Sequence, residues 1–186
     1  MSTSPADAAS PALSPFKFCP KCGEVLQSRV LKPSEPARLV CPSCGFVFYL
    51  DPKVAACTIA MVDGGIVLVK RSIEPALGKW VFPGGFVDRG ESIPAAAVRE
   101  TLEEVKLRVS LLGVLDVYSF APYEVAVVVY AADVIHGTPE PGDEALAVHC
   151  FSPEEIPWDE LAFESTRAAL RDYIRRYFPR VRLPRP

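Results

Sequence analysis

The sequence has no apolar run of the roughly 18 to 20 residues that a membrane-spanning helix needs. Its first residues lack the basic and apolar regions of a secretory signal, so we expect a cytosolic protein with no membrane partner. Histidine is scarce, because only His136 and His149 occur. Both are isolated, one in an expected turn and one pointing outward from an expected strand, so we interpret neither as a metal ligand.

Extremes of composition are also missing. With 186 residues, 49% of them hydrophobic, and a net charge of −3, the chain can form one well-cored domain plus a small accessory module. Charge is nevertheless uneven, because residues 139–164 hold eight acidic and no basic side chains, whereas residues 171–186 hold six arginines and one aspartate. This asymmetry favours local partners over a coat of nucleic acid.

The amino-acid composition changes along the chain. Residues 1–15 are rich in Ser, Ala and Pro without periodicity, which predicts a disordered tail. Residues 16–50 are punctuated by cysteines and are followed by apolar strands that Gly and Pro interrupt. We therefore expect a small module over residues 16–50, a main domain over residues 51–178 and a basic tail over residues 179–186.

Hydrophobic periodicity predicts strands interleaved with two helices. Two of the strands flank the turn signal at residues 63–65 and indicate a hairpin. The expected elements are strands at 54–62, 66–71, 110–119, 124–135 and 145–151, a short strand in 80–85, and helices at 92–106 and 165–178. Ser165 is the expected N-cap of the last helix, whose apolar face would hold Leu170, Tyr173, Ile174 and Tyr177. This order favours an α/β fold with a mixed sheet and helices on its faces.

Four of the six cysteines form two C-x-x-C pairs separated by eighteen residues. A glycine follows each pair, and it can take the positive φ of the tight turn that aims two thiolates at one ion. We predict a structural zinc site, with iron as the competing metal, at Cys19, Cys22, Cys41 and Cys44. We interpret Cys57 and Cys150, inside apolar runs, as buried inert thiols. For the module itself, packing or dimerisation is favoured over nucleic-acid contact.

The predicted helix at 92–106 crowds three glutamates, Glu100, Glu103 and Glu104, onto one face. The apolar stripe that we expect to pack on the sheet lies opposite, at Ala95, Val98, Leu102 and Val105. Ala96 and Ala97 would then leave room beside the carboxylates for a ligand. As a plain solvated face the arrangement costs only a few tenths of a kcal/mol per pair of like charges.

A longer spacing argues for more than a solvated face. Gly85, Glu91, Arg99 and the three glutamates follow the pattern G-x5-E-x7-R-E-x2-E-E, which resembles the Nudix box. Thr101 and Lys106 depart from it, since the box has an aliphatic residue and a glycine there. The resemblance implies a Nudix hydrolase with an α/β/α sandwich, preceded by a zinc ribbon.

The resemblance also implies roles for individual residues. Glu100 and Glu104 would bind Mg²⁺ or Mn²⁺ directly, with the carbonyl of Gly84 as a further ligand. Glu103 would bind a second ion or, with Arg99, orient the ligands of the first. Glu91 would anchor the loop to the helix. A further glutamate, from a loop outside the box, would complete the site or act as general base, and Glu144 is the candidate, with Asp143 and Glu140 as its rivals. Glu103 is the alternative residue to handle the attacking water.

Three further residues are candidates for contact with a substrate. Arg71, at the end of a strand, could meet a phosphate, although a surface arginine is common at such a position. Trp80 and Phe163 could stack on a flat ring, although core or rim packing is the more ordinary role of both.

The zinc ribbon before a Nudix domain narrows the expected substrate. The NADH pyrophosphatase group has such a ribbon, but its S-Q-P-W-P-F-P-type motif is absent here. The layout is more similar to ribbon-bearing Nudix proteins that act on FAD or ADP-ribose, which implies release of AMP from a nucleotide diphosphate. The alternatives are an NADH- or NAD-type pyrophosphatase and a zinc-ribbon nucleic-acid-binding regulator with a nucleotide-sensing Nudix domain. A homodimer is expected only by analogy.

Overall fold

The structure is a computed structural model that describes residues 16–184. The predicted disordered tail at residues 1–15 and the last two residues of the predicted basic tail lie outside the described residues. The chain divides into two compact units, Met1–Asp51 and Pro52–Pro186. Within residues 16–184, no helix is both long and apolar enough to cross a membrane.

The first unit contains a three-stranded antiparallel sheet with its strands in chain order. These strands are β1 (Gln27–Arg29), β2 (Arg38–Val40) and β3 (Val47–Phe48). The buried core of the unit consists of Cys19, Leu26 and Cys41, with a few partly buried side chains around them. A core this small does not stabilise a fold without an additional crosslink or metal.

The second unit is a mixed sheet with two α-helices. Its elements are β4 (Lys53–Val62), β5 (Gly65–Arg71), β6 (Trp80–Val81), β7 (Gly84–Phe86), α1 (Ile93–Val105), β8 (Arg108–Tyr118), β9 (Val125–His136), β10 (Ala145–Phe151) and α2 (Glu164–Tyr177). The strand order is β10-β5-β4-β9-β8, with β6 paired to β5 and β7 to β4. Only β4 and β9 run parallel among these described pairs, which confirms the predicted mixed sheet.

The two helices cover opposite faces of this sheet. Ala56 of β4 packs against Ala96 and Ala97 of α1. Its neighbour Cys57 belongs instead to the apolar cluster that contains Leu170 of α2. Because successive residues of a strand point to opposite faces, α1 and α2 lie on different sides, as the predicted α/β/α sandwich requires.

Local sequence explains where the elements that carry the site begin and turn. Asp63 and Gly64 both have positive φ, 49° and 82°, and form a tight two-residue turn between β4 and β5, within the turn signal at 63–65 that predicted the hairpin. Ser92 caps α1 by accepting a hydrogen bond from the amide of Ala95 at 3.3 Å. The helix therefore starts at Ile93, within one residue of the prediction.

The prediction for the start of α2 is wrong. Ser165 lies inside the first turn, and the cap is Phe163, which makes no capping hydrogen bond through its side chain. The amide of Ala162 donates to the carbonyl of Trp80 at 2.8 Å, so the chain stays extended up to Phe163 and turns into the helix one residue earlier. The predicted apolar face is also shorter, since Tyr177 is 43% exposed.

The predicted orientation of α1 is only partly right, because Val105 is buried and Val98 packs against the core, but Ala95 and Leu102 are not buried. Its buried residues are Ala96, Ala97, Thr101 and Val105, whereas Leu102 is exposed and Ala95 lies at the surface. The two alanines do not leave room for a ligand, because their small side chains let the helix backbone approach β4 closely. The helix is thus rotated so that Glu100 and Glu104 border the sheet.

The isolated cysteines and histidines lie mostly where expected. Cys57 is buried, but Cys150 is only partly buried, so the prediction fails for the second thiol. His149 is exposed on β10 as predicted. His136 is exposed too, although it ends β9 and does not lie in a turn.

Candidate active site and cysteine cluster

Two adjacent glycines bring β7 close to its neighbours on both sides. Gly84 has a φ of 155°, and a Cβ on it would collide with the Sγ of Cys57 on β4. A Cβ on Gly85 would instead meet the carboxylate of Glu100 on α1. The backbone of β7 can therefore lie directly against Glu100 because neither position carries a side chain.

Arg99 ties three glutamates of this region together. Its Nε and Nη2 atoms donate to the two carboxylate oxygens of Glu91 at 2.9 and 2.8 Å. Its Nη1 atom donates to Glu100 at 2.7 Å and to Glu103 at 3.1 Å. The hydrogen bonds from Arg99 lower the pKa of Glu91. Glu91 therefore stays charged and holds the guanidinium that fixes the orientation of Glu100.

Glu104 and Glu100 are in a different electrostatic environment from Glu91. Burial raises the pKa of Glu104 from 4.5 to about 7, although its carboxylate accepts a hydrogen bond from the amide of Gly84 at 2.9 Å. Burial also raises the pKa of Glu100, against the opposite effect of Arg99. Both carboxylates therefore carry negative charge at an energetic cost that a bound cation would relieve.

These two carboxylates open into a cavity of about 310 Å³. Glu144, which immediately precedes β10, lines the same cavity together with Arg71 at the end of β5. Asp88 adds a further carboxylate, and Ile73 and Phe86 add large apolar side chains that are 47% and 49% exposed. The cavity thus combines carboxylates suited to a hard cation with arginines suited to phosphate.

The residues predicted to contact a substrate are placed unequally. Arg71 lines the cavity, and its guanidinium donates to the carbonyl of Pro75 at 2.9 Å and lies 5.2 Å from the ring centroid of Phe163. Neither Phe163 nor Trp80 is among the described residues that line the cavity. The Trp80 ring packs edge-on against Phe151, at a centroid distance of 5.1 Å. The structure brings only Arg71 of these three to the carboxylates.

Glu103 lies outside the cavity lining among the described residues. Its side chain is 57% exposed and reaches Arg99, as the spacing of one helical turn predicted. The two rivals of Glu144, Asp143 and Glu140, do not line the cavity either. Of the three candidate loop carboxylates, Glu144 is therefore the one that shares the cavity with Glu100 and Glu104.

The loop that carries Glu144 is attached to the end of α1. The amide of Gly142 donates to the carbonyl of Glu104 at 2.9 Å, and the amide of Glu140 donates to the carbonyl of Val105 at 3.1 Å. A Cβ on Gly142 would collide with the carbonyl oxygen of Glu103. The last carbonyls of the helix are thus satisfied by this loop, which sets the distance of Glu144 from the helix.

Lys106 takes over the position of the missing glycine. It adopts the left-handed conformation with a φ of 59°, and its amide donates to the carbonyl of Leu102 at 3.1 Å. Its Nζ atom also donates to the carbonyl of Glu103, at 3.1 Å. The helix therefore ends as it would with a glycine, but a lysine holds a strained backbone conformation there.

Sequence reasoning did not single out four residues that line the cavity, namely Val69, Ile73, Phe86 and Asp88. Phe86 directly follows the glycine pair, and Asp88 lies in the same loop before Glu91, so their position in the motif was a usable signal. Val69 lies inside β5 and Ile73 in an irregular loop after it, and neither occupies a position of the motif.

The four paired cysteines converge in the first unit. Within residues 16–184, they form the one group of at least three His, Cys, Asp or Glu side chains whose donor atoms all lie within 4.8 Å of one another. The Sγ atom of Cys22 lies 3.4 Å from that of Cys41 and 3.5 Å from that of Cys44. Four thiolates at about 2.3 Å from one zinc ion would be about 3.8 Å apart, so the cluster is close to the size of a tetrahedral site.

Local backbone geometry aims these thiols. The glycines after the two pairs, Gly23 and Gly45, have positive φ of 78° and 71°, as predicted. The amide of Cys44 lowers the pKa of Cys41 to about 7. Amide donors of this kind favour thiolate over thiol, and thiolate is the form that binds a metal.

Comparison with known families identifies the second unit. A family profile described as "NUDIX domain" matches residues 51–176. The chain belongs to the Nudix family. A second profile, described as "Nudix N-terminal", matches residues 17–50, which contain the cysteine cluster. Together with the fold, these matches confirm the predicted Nudix hydrolase with an N-terminal ribbon.

Individual Nudix relatives cover different parts of the chain. The chain is 37% identical over 131 residues to an ADP-ribose pyrophosphatase of Methanocaldococcus jannaschii, covering 68% of this chain and 76% of the relative. It is 29% identical over 143 residues to the NAD-capped RNA hydrolase NudC of Pseudomonas aeruginosa, and covers 49% of that longer protein. A crystal structure of a Nudix hydrolase from Nitrosomonas europaea matches with a TM-score of 0.81 at 33% identity, over 88% of this chain and 94% of the other.

The carboxylates of this Nudix domain suit the divalent metal ions that Nudix enzymes generally use. Two costly negative charges, Glu100 and Glu104, line one cavity with a third carboxylate, Glu144. Their oxygens are not gathered as closely as the cysteine sulfurs are, since Glu100 is turned to Arg99 and Glu104 to the amide of Gly84. The donor set nevertheless fits a hard cation, because carboxylate oxygen is its preferred ligand.

Proposed function

We propose that the protein hydrolyses the diphosphate bond of an AMP-linked nucleotide, either ADP-ribose or FAD, and releases AMP with the help of Mg²⁺ or Mn²⁺. The observation that carries this proposal is the placement of Glu100, Glu104 and Glu144 in one cavity with Arg71. Carboxylates that are costly to keep charged supply the ligands of a cation, and the arginine supplies a partner for a phosphate.

Each residue has a distinct part in this proposal. Glu100, Glu104 and the carbonyl of Gly84 would hold the cation, which when bound neutralises phosphate oxygens and lowers the pKa of bound water. Glu91 keeps Arg99 in place, and Arg99 orients Glu100 through its hydrogen bond of 2.7 Å.

The other charged residues act on the reacting groups or beside them. Glu144 takes a proton from the attacking water as the water oxygen bonds to one phosphorus and the bond from that phosphorus to the bridging oxygen breaks. If the attacked phosphorus belongs to AMP, the bridging oxygen leaves with the other phosphate, and if it does not, AMP leaves with the bridging oxygen. Glu103, exposed and paired with Arg99, would bind a second cation or keep Arg99 oriented. Phe163 and Trp80 would support the site by packing, since Phe163 lies under the guanidinium of Arg71.

Two relatives bear on the choice of substrate. ADP-ribose is the leading candidate, because the relative from Methanocaldococcus jannaschii is an ADP-ribose pyrophosphatase and aligns with 76% of its own length. An NAD-type substrate is the second candidate, because several NudC proteins named as NAD-capped RNA hydrolases are also similar. It ranks lower, since the chain spans about half of the first of these proteins and lacks the S-Q-P-W-P-F-P-type motif.

We propose structural zinc for the cysteine cluster, with iron as the competing metal. The sulfur spacing fits a tetrahedral site, and the core of the unit, Cys19, Leu26 and Cys41, is too small to hold the fold alone. Elemental analysis of the purified protein decides the point. We expect about one equivalent of zinc, and less than about half an equivalent of zinc or iron would contradict the proposal.

A substrate panel tests the catalytic proposal. The purified protein is incubated with ADP-ribose, FAD, NADH, NAD and diadenosine polyphosphates in Mg²⁺ or Mn²⁺, and the products are separated by chromatography. We expect AMP from ADP-ribose or FAD at the highest kcat/KM, and little turnover by Glu104→Gln. Glu154→Gln, at an exposed position outside the cavity, is the matched control and should match the wild type. The proposal fails if no substrate in the panel releases AMP.

A further inference from the structure

Two buried threonines join the glutamate helix to the sheet. The hydroxyl oxygens of Thr58 on β4 and Thr101 on α1 lie 2.7 Å apart, and both residues are fully buried. Thr101 also donates to the carbonyl of Ala97 at 2.7 Å. Because the proton of Thr101 is used in that bond, Thr58 must be the donor in the bond between the two hydroxyls. The hydrogen bond therefore runs from the donor Thr58 on β4 to the acceptor Thr101 on α1.

This pair lies next to the residues that form the candidate metal site. Thr101 directly follows Glu100, and Glu104 lies one turn further along the helix. Thr58 directly follows Cys57, the strand partner of Gly84. The amide of Thr58 donates to the carbonyl of Pro83 at 3.0 Å, so the same residue also holds the chain that leads into β7.

The rest of this helix–strand contact is made by small apolar side chains, chiefly Ala56, Ala96 and Ala97. Contacts of this kind set how closely the helix approaches the strand, but they do not fix its position along the strand, because dispersion forces have no preferred direction. The hydrogen bond of 2.7 Å between the two buried hydroxyls does have a preferred direction, because a hydrogen bond weakens steeply when its length or angle changes.

We propose that the Thr58–Thr101 pair is a positioning device that fixes the register of α1 on β4 and so holds Glu104 and Glu100 in place beside β7. The inference rests on the proposed function in one respect, namely that these two glutamates bind the catalytic cation. It gives a role to Thr101, which occupies an aliphatic position of the Nudix box. Neither threonine touches substrate or metal, and both act through the helix.

The position of α1 along β4 matters because the hydrogen bond that depends on it, between the Gly84 amide and the Glu104 carboxylate, is short. The carboxylate of Glu104 accepts from the amide of Gly84 at 2.9 Å, and a movement of the helix by about one ångström along the strand would break that hydrogen bond. The same movement would change the distance of both glutamates from Arg71, which lines the same cavity and lies on a different strand, β5. Misplacement on this scale is enough to reduce catalysis about 100-fold in enzymes.

The double variant Thr58→Val/Thr101→Val separates positioning from simple stability. Valine has nearly the shape of threonine, and replacing both partners of a buried hydrogen bond leaves no unpaired group behind, so we expect the fold to survive. Thr101→Val alone should be the least stable variant, because it leaves the Thr58 hydroxyl without its acceptor. Thr58→Val should be milder, since Thr101 keeps its bond to Ala97.

The matched control is Thr166→Val on α2. Thr166 is also fully buried, and its hydroxyl has no hydrogen-bond partner among the described residues. Its replacement removes the same chemical group far along the chain from the glutamates. We expect unchanged kinetics and equal or higher stability for this variant.

The measurements are Mn²⁺ affinity by calorimetry, the kinetics of ADP-ribose hydrolysis, and hydrogen exchange of the Gly84 amide by NMR. For the double variant we expect at least five-fold weaker Mn²⁺ binding, at least ten-fold lower kcat with a nearly unchanged KM, and faster exchange at Gly84. The double serine variant, Thr58→Ser/Thr101→Ser, should restore all three, because it restores both hydroxyls.

The outcomes separate this inference from the proposed function. A double variant with wild-type Mn²⁺ affinity, kcat and Gly84 exchange would overturn the positioning role. If the wild type neither binds Mn²⁺ nor releases AMP from any substrate of the panel, the proposed function fails, and exchange at Gly84 still decides the inference. Faster exchange in the double variant but not in Thr166→Val would then support it, and equal exchange in both would refute it.

Discussion

Glu104→Gln should stabilise the metal-free protein at the same time as it removes catalysis. Burial raises the pKa of Glu104 to about 7, from 4.5 in an exposed carboxyl. The folded protein therefore binds a proton at this site between about pH 4.5 and 7 that the unfolded chain has already released. Its stability must fall through that range as the pH rises, and the full penalty applies above pH 7.

The magnitude follows from the two pKa values. A difference between 4.5 and about 7 corresponds to about 3 kcal/mol of the free energy of unfolding. Glutamine is neutral at every pH and its amide oxygen can still accept from the amide of Gly84, which now lies 2.9 Å from the carboxylate. We therefore expect Glu104→Gln to raise the stability of the protein at pH 8 by about 1 to 3 kcal/mol and to leave it almost unchanged at pH 4.5.

Urea unfolding followed by tryptophan fluorescence measures this effect in the second unit alone. Both tryptophans of the chain, Trp80 and Trp158, belong to that unit. The buffers contain no added divalent cation, and no chelator that would remove the metal proposed for the cysteine cluster. Glu154→Gln, at an exposed position, controls for the loss of one negative charge. The expected effect is contradicted if Glu104→Gln has a lower free energy of unfolding than the wild type at pH 8. It is also contradicted if the difference in free energy of unfolding between the two proteins is the same at pH 4.5 and pH 8.

Three further predictions concern the end of α1, its attached loop and the ribbon. Lys106→Gly should raise the free energy of unfolding by about 1 kcal/mol by relieving the left-handed conformation, whereas Lys106→Ala should give no gain in the same denaturation assay. Gly142→Ala should lower both stability, by about 1 to 3 kcal/mol, and kcat, because its Cβ collides with the carbonyl of Glu103. Gly113→Ala, where nothing lies within 4 Å of the new Cβ, should have neither effect. Cys41→Ser should lose zinc in elemental analysis and expose residues 16–50 to protease, and Cys150→Ser should keep the metal.

Spacing in the sequence was enough to predict the fold of the second unit and the grouping of the four paired cysteines. Periodicity located both helices, and the turn signal at Asp63 and Gly64 located the hairpin between β4 and β5. Residues at fixed spacing predict these elements because, in a helix or a tight turn, a given separation in sequence corresponds to a given separation in space. For the same reason the pairing of Arg99 with Glu103 was predictable.

The rotation of α1 was not predictable from its own residues. Counting apolar side chains favoured Leu102 as a buried residue, but Ala96 and Ala97 allow closer packing on Ala56, so the alanine side faces the sheet. Which side of α1 packs on the sheet depends on the sheet residue that it meets. That residue, Ala56, is 40 positions away in the chain from Ala96. The hydrogen bond between Thr58 and Thr101 was hidden for the same reason, since its partners are 43 residues apart.

Residue type alone did not decide which aromatic side chains lie at the cavity. Trp80 and Phe163 were candidates because a flat ring can stack on a substrate, with packing as the more ordinary role, and neither lines the cavity among the described residues. Trp80 packs on Phe151, and Phe163 is beneath Arg71. Aromatic side chains serve cores and binding sites equally well, so only their place in the fold distinguishes the two roles.

Titration of AMP release from ADP-ribose against Mg²⁺ tests the central claim most directly, in the wild type and in Glu104→Gln. The account predicts equal amounts of AMP and ribose 5-phosphate from the wild type, saturating with Mg²⁺ and absent without a divalent cation, and at least a 100-fold lower rate for the variant at every Mg²⁺ concentration. Hydrolysis that is independent of Mg²⁺, or a variant as fast as the wild type, would contradict a metal site at Glu104.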